Sequence, residues 1–98
     1  EIKDMLFYML PFHSFKQWGI YGLDHSLGKN NTIRYPVSFS NNLLFYWGFD
    51  YAGYYYDVRI KQNNYSSCFA YATYKLGTSQ EEQLAPTDVG SLMIFIGR

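Results

Sequence analysis

The sequence lacks the features that stabilise many small domains. Cys68 is the single cysteine among 98 residues, which excludes a disulfide within the chain. His13 and His25 lie far apart, and no His/Cys cluster has the spacing of a structural zinc site, so we expect no metal. Domains of this size often gain stability from disulfides, metals or partners. With the first two absent, we expect self-association to supply that support.

Charge is also scarce. Eight Lys and Arg balance eight Asp and Glu, and charged residues make up only 16% of the chain. Because no basic run is present to follow a phosphate backbone, we expect no nucleic-acid partner. No apolar run reaches the roughly 18 residues that span a membrane, so we expect no membrane insertion. The single glycines do not form a phosphate-binding loop, and we expect no cofactor.

Tyrosine is what the chain has in excess, with 11 residues and aromatics at 21%. Four tyrosines crowd around Gly53 in the segment YAGYYY, residues 51–56. Together with Ser, Gly and Asn, such rings are typical of recognition surfaces, where Tyr supplies rigid amphipathic contact area. The alternative is a β protein with a tyrosine-rich core.

Short apolar segments separated by turn residues predict an all-β fold. Strands are expected at residues 14–21, 32–39, 43–51, 56–62, 66–75 and 91–98, with a further strand within residues 2–9. Their spacing of about ten residues favours a small antiparallel β-sandwich or barrel. We also expect a short helix near QEEQLA, residues 80–85. The predicted core consists of Trp18, Tyr35, Phe39, Ile94 and Ile96.

Two of these segments have distinctive patterns. TIRYPVSF, residues 32–39, alternates so that Ile33, Tyr35, Val37 and Phe39 share one face, and Pro36 predicts an edge strand. LLFYWGFDY, residues 43–51, is apolar on both faces, which predicts a strand covered on two sides.

No catalytic constellation stands out, and we expect a protein that is not an enzyme. Asp50 and Asp57 flank the tyrosine cluster, and a carboxyl pair would suit a glycosidase. The stronger interpretation is that Asp50 opens a hairpin turn and Asp57 faces solvent. Cys68 alternates with Ala70 and Ala72, so it is expected to be a buried small apolar residue.

The tyrosines should lie at the tip of a hairpin between residues 43–51 and 56–62. Folding does not reward exposed rings, so a partner is expected to cover them. A saccharide suits this surface, because ring faces pack against C–H groups while phenols, Asp and Asn bond hydroxyls. A neighbouring subunit is the alternative. The predicted ligand-binding residues are Trp47, Asp50 as an acceptor, Tyr51, Tyr54, Tyr55 and Asn64.

Three segments carry a resemblance to a known family. LPFHSFKQWG (residues 10–19), TIRYPVSFSNN (residues 32–42) and MIFIGR (residues 93–98) occur in the order and at the spacings of that family's opening, middle and closing strands. On these motifs the chain resembles the C-terminal tip domain of bacteriophage and prophage tail fibre proteins.

The resemblance implies a homotrimeric β-sandwich at the extracellular tip of a virion tail fibre. Residues 1–13 would lead from the fibre shaft, and residues 14–98 would form the tip domain. Its implied function is non-enzymatic receptor binding, with a bacterial surface polysaccharide, lipopolysaccharide or outer-membrane protein as partner. The alternatives are a polysaccharide depolymerase or glycosidase, a structural trimerisation cap and, more distantly, a secreted lectin.

Overall fold

The computed structural model describes residues 6–9, 14–40, 43–62 and 64–98. This part of the chain forms eight β-strands and one short 3-10 helix, and the all-β prediction is confirmed. The strands are β1 Leu6–Met9, β2 Phe15–Leu23, β3 Asn31–Arg34, β4 Leu43–Asp50, β5 Asp57–Gln62, β6 Ser67–Lys75, β7 Glu82–Leu84 and β8 Val89–Gly97, with the 3-10 helix at His25–Leu27.

The strands form one antiparallel sheet in the order β1-β2-β8-β4-β5-β6-β3, which curls until it is nearly closed. β7 pairs with β6 beyond the end of β3. Residues 35–40 connect the residues before β6 to the residue after β8 through backbone hydrogen bonds. Phe39 N donates to Tyr65 O at 2.8 Å, and Ser40 N donates to Arg98 O at 2.6 Å. The end of β8 is thereby joined to the start of β6.

The core lies inside the curl and follows the two-residue period of the strands. In β2 and β8 every odd-numbered residue is buried, and these side chains meet those of β3 and β6. Tyr35 and Phe39 complete the core, as predicted. Their rings lie 4.9 Å from Phe95 and 4.7 Å from Phe15, respectively.

The other three predicted core residues lie on the opposite face. Trp18, Ile94 and Ile96 occupy even-numbered positions and are only partly buried. Side chains alternate between the two faces of a strand. When the odd-numbered residues of β2 and β8 face the core, all the even-numbered residues therefore face outward. The polar Gln17 and Ser91 are fully buried instead. A prediction based on hydrophobicity alone therefore placed three of the five core residues on the wrong face of the sheet.

Two local predictions were also wrong. The strand expected over residues 32–39 ends at Arg34, before Pro36, and Val37 lies outside it with 44% of its surface exposed. The helix expected near QEEQLA is a short strand instead. β3 pairs with β6 only as far as Ala70, and β7 occupies the edge of β6 that is left open, pairing Thr73 with Leu84.

Gly48 allows β4 and β5 to approach where their side chains would otherwise collide. A Cβ atom at Gly48 would lie 2.5 Å from Val58 Cγ1 and 3.1 Å from Val58 Cβ. We expect Gly48→Ala to lower the free energy of unfolding by about 1–3 kcal/mol, the usual cost of overpacking. Adding Val58→Ala should recover part of this loss in urea denaturation.

Gly22→Ala is the matched control, because a Cβ atom at Gly22 would meet nothing within 4 Å. An equal effect of the two glycine substitutions would show that Val58 does not set the cost at Gly48.

Candidate functional site

A cleft opens where β4 and β5 diverge. Within the described residues, Phe49 and Asp57 are the single registered pair between these two strands. β4 pairs along most of its length with β8, and β5 pairs along its whole length with β6. The cleft has a volume of about 590 Å³. Five aromatic residues contribute to its lining: Tyr46, Trp47, Phe49, Tyr55 and Tyr56.

The aromatic residues of β4 form a preordered row. The Trp47 ring stacks on Phe49 at a centroid distance of 5.4 Å and an interplanar angle of 15°, and it lies 6.2 Å from Phe45. Including Tyr46 on the other face, these side chains are 43–52% exposed. The prediction of a strand covered on both faces is therefore wrong for the single chain. The two-sided apolar pattern of β4 corresponds to side chains that are exposed on both faces of the strand.

Asp50 shapes the turn that closes one end of the cleft. Its Oδ1 accepts a hydrogen bond from Ala52 N at 2.8 Å, and its Oδ2 accepts one from Tyr56 N at 3.0 Å. This is the turn-opening role expected from the sequence. Gly53 within the turn has a φ of 91°, a conformation that glycine adopts without steric cost.

Tyr55 stands out in this turn for its backbone and its exposure. Its φ of 61° lies in the left-handed region, which costs a side-chain-bearing residue about 1–2 kcal/mol. Its side chain is 94% exposed, so burial in the core does not offset that cost. Strained residues of this kind concentrate at functional sites.

The structure brings three of the six predicted ligand-binding residues to the cleft, namely Trp47, Asp50 and Tyr55. Tyr54 is 53% exposed and stacks on Tyr56 at 5.5 Å, so it borders the cleft lining.

The other two predicted residues lie away from the cleft lining. A Cβ atom at Gly90 would lie 2.8 Å from the Tyr51 ring, which shows that Tyr51 packs over Gly90. Asn64 Oδ1 accepts hydrogen bonds from Ser66 N at 2.8 Å and from Ser67 N at 2.9 Å. This oxygen therefore holds the turn before β6.

The predicted ligand-binding set omitted eight residues of the cleft lining: Tyr46, Gly48, Phe49, Tyr56, Asp57, Val58, Arg59 and Ile60. The adjacency of Tyr46 and Phe49 to Trp47 was a usable signal. Arg59 gave none, because its partner is distant in sequence. Arg59 Nε donates to Glu82 Oε1 at 2.7 Å, Nη2 contacts the same oxygen, and Nη2 lies 3.8 Å from Asp57 Oδ2.

The two carboxylates considered for a glycosidase project to opposite faces of the sheet. Asp57 pairs with Phe49 and shares its face, whereas Asp50 follows Phe49 along β4 and points the other way. Both Asp50 oxygens accept backbone N–H groups and are engaged in shaping the turn. The geometry therefore does not favour the paired acid and nucleophile that a glycosidase needs.

His25 lies in a second polar cluster, away from the cleft. His25 Nδ1 is 2.6 Å from Asp88 Oδ1, which also accepts the His25 backbone N–H at 3.0 Å. These hydrogen bonds hold the pKa of the Asp88 carboxyl below its usual value. A carboxylate oxygen of Asp24 lies within 4.8 Å of the His25 ring and of the Asp88 carboxylate. Asp24 Oδ1 accepts the Ser26 N–H and caps the 3-10 helix. No local pattern pointed to Asp88, which lies 63 residues away from His25. All three residues contribute to fixing this loop.

Cys68 is fully buried beside Ala70, as the alternation predicted, and burial raises the pKa of its thiol from 9 to about 11. Because the folded-state pKa is the higher one, the contribution of the neutral Cys68 thiol to the free energy of unfolding is fully present below pH 9. This contribution is lost as the pH rises through 11. We expect the free energy of unfolding to fall by about 2–3 kcal/mol over this window relative to Cys68→Ala, as measured by urea denaturation.

Burial also raises the phenol pKa values of Tyr21 and Tyr35, and this main cause is present in both proteins. Cys68 contributes to both tyrosine shifts as well, so the comparison with Cys68→Ala measures the thiol together with its coupling to these two phenols. Parallel pH profiles of the two proteins would contradict this prediction.

No protein-family model, curated protein or solved structure matches this chain. Within the described ranges, no helix is long and apolar enough to cross a membrane. The relation to tail fibre tip domains therefore remains a hypothesis based on the three sequence motifs.

Proposed function

We propose that this domain is a non-enzymatic saccharide-binding module and that the β4–β5 cleft holds the saccharide. The observation that carries this proposal is the cleft itself, with its preordered aromatic row and a strained, exposed tyrosine at its rim. Flat rings pack against the C–H faces of sugars. Phenol groups and the Asp57 carboxylate beside them offer hydrogen bonds to hydroxyls. The volume also falls within the range of small-molecule sites.

We propose further that the module is the receptor-binding tip of a phage tail fibre. The three sequence motifs support this role, and a bacterial surface polysaccharide or lipopolysaccharide would be the receptor. An outer-membrane protein is the alternative receptor. As a homotrimer, the tip would present three clefts, and multivalent attachment would strengthen weak individual contacts.

The outer face of the sheet supports self-association. Trp18 of β2 and Ile94 of β8 are register partners on this face, and Trp47 of β4 continues the row into the cleft. Trp18 and Ile94 are only partly buried, and a subunit that packs on them alone would leave Trp47 open to the saccharide. Large exposed apolar patches commonly mark protein interfaces. The same row favours a second candidate function, a structural trimerisation cap.

The test is binding of the purified domain to an array of bacterial surface polysaccharides and lipopolysaccharides. We expect saturable binding to a subset of them, no release of new reducing ends, and a light-scattering mass three times that of the chain. New reducing ends would instead support the depolymerase. The structural cap would be supported by two results together. The trimer would bind no glycan, and a fibre that carries a foreign tip in its place would still adsorb to the original host.

A further inference from the structure

We infer that the cleft selects uncharged saccharides, and that Glu82, which lies outside the cleft, determines this selectivity by holding Arg59. The inference rests on the proposed saccharide-binding function and adds the class of ligand. It follows from how the charged groups around the cleft are paired.

Arg59 is the single cation among the described residues that line the cleft. A free guanidinium binds a ligand carboxylate or phosphate through two parallel N–H groups. In this protein Nε and Nη2, which form one such edge, both contact Glu82 Oε1. The side-on edge of the guanidinium is therefore occupied by a carboxylate of the protein, which also balances its positive charge.

The charge that remains around the cleft is negative. Asp50 and Asp57 line it, and Glu82 lies behind Arg59, so three carboxylates accompany one guanidinium. The nearby lysines, Lys61 and Lys75, do not contribute to the lining. A uronic acid or phosphorylated sugar would add a like charge to this environment, which disfavours its binding. A neutral hexose carries no such penalty.

Glu82 reaches Arg59 because of the position of β7. The register pairs Glu82 with Lys75 on β6, while β6 pairs on its other side with β5. Arg59 and Glu82 therefore lie on strands that flank β6, and the ion pair spans β6. Asp57, with its Oδ2 at 3.8 Å, is the weaker partner. Removing the charge of Glu82 should release the guanidinium toward the cleft.

The experiment compares matched oligosaccharides that differ in one ring, a hexose in one and the corresponding hexuronate in the other. We expect the wild-type domain to bind the neutral member at least about tenfold more tightly. Glu82→Gln should raise affinity for the hexuronate about fivefold to tenfold and leave affinity for the neutral member unchanged. The gain should shrink at high salt because it is electrostatic.

Glu81→Gln is the matched control, since it removes the same charge one residue away, from an exposed position. It should change neither affinity by more than about twofold, in line with a solvent-screened charge. The double variant Arg59→Gln/Glu82→Gln should lose the gain of Glu82→Gln, because the gain requires the guanidinium.

The outcomes separate the two proposals. Equal binding of both sugars by the wild-type domain, or no gain in a folded Glu82→Gln variant, would overturn the selectivity and leave saccharide binding intact. A gain of equal size in Glu81→Gln would also overturn the role of Glu82. Absence of binding to every saccharide tested would overturn the proposed function, and the selectivity with it.

Discussion

Replacing Tyr55 with glycine is expected to weaken saccharide binding at least about tenfold, a loss typical of an aromatic contact residue at a binding hot spot. The same change should raise the free energy of unfolding by about 1 kcal/mol, because glycine adopts the left-handed backbone of this position without steric cost. Tyr55 has a φ of 61° and is 94% exposed, so little packing is lost. Calorimetric titration with the bound glycan and urea denaturation measure the two effects.

The test of Tyr55→Gly relies on two changes of opposite sign: the affinity for the glycan should fall, and the free energy of unfolding should rise. Truncating a side chain that packs in the core lowers the free energy of unfolding of the domain. Truncating a side chain that serves only as a ligand contact lowers the affinity for the glycan without that loss. Tyr65→Ala is the control, since Tyr65 is also an exposed tyrosine, at 48%, but lies in the turn before β6, outside the cleft lining. Unchanged glycan affinity in Tyr55→Gly would remove Tyr55 from the site.

Gln17→Leu is expected to lower the free energy of unfolding by about 2–4 kcal/mol, the cost of leaving two polar groups without their partners. Gln17 is fully buried, and its side-chain amide binds both backbone polar groups of Val37, within the 35–40 segment. Nε2 donates to Val37 O at 2.7 Å, and Oε1 accepts from Val37 N at 3.0 Å. Leucine has nearly the same volume but forms neither bond.

Urea denaturation measures this loss, and Gln83→Leu provides the comparison because Gln83 is only partly buried on β7. An unchanged denaturation midpoint for Gln17→Leu would show that water replaces the clamp without cost. The loss should be a large share of the stability, because small domains are stable by only about 5–15 kcal/mol.

The sequence was sufficient to predict most strands and the hairpin that carries the tyrosines. Alternation in residues 56–62 correctly placed Val58 and Ile60 inward, since an antiparallel strand with one face in the core must repeat every two residues. The same rule does not say which of two apolar sets faces the core, and Trp18 was therefore assigned to the wrong side. Asn64 shows a related ambiguity, because an amide that holds a turn and one that binds a ligand look alike in sequence.

The cleft itself could not be predicted from local patterns. It exists because β4 and β5 share one registered pair, a property of how the whole sheet curls. The Arg59–Glu82 contact likewise depends on β7 occupying the free edge of β6. Neither the divergence of β4 and β5 nor the Arg59–Glu82 contact produces a sequence motif with a fixed spacing. Several cleft residues could therefore be predicted from the sequence, but their arrangement could not.

The position of Trp47 gives the protein an intrinsic optical probe. Of the two indoles in the chain, Trp47 lines the cleft, whereas Trp18 lies two strands away, with the Lys16 ammonium 4.7 Å from its ring centre. A molecule seated in the cleft would displace water from the Trp47 indole and alter its fluorescence. Occupancy of the site would then be readable from the unlabelled domain in solution.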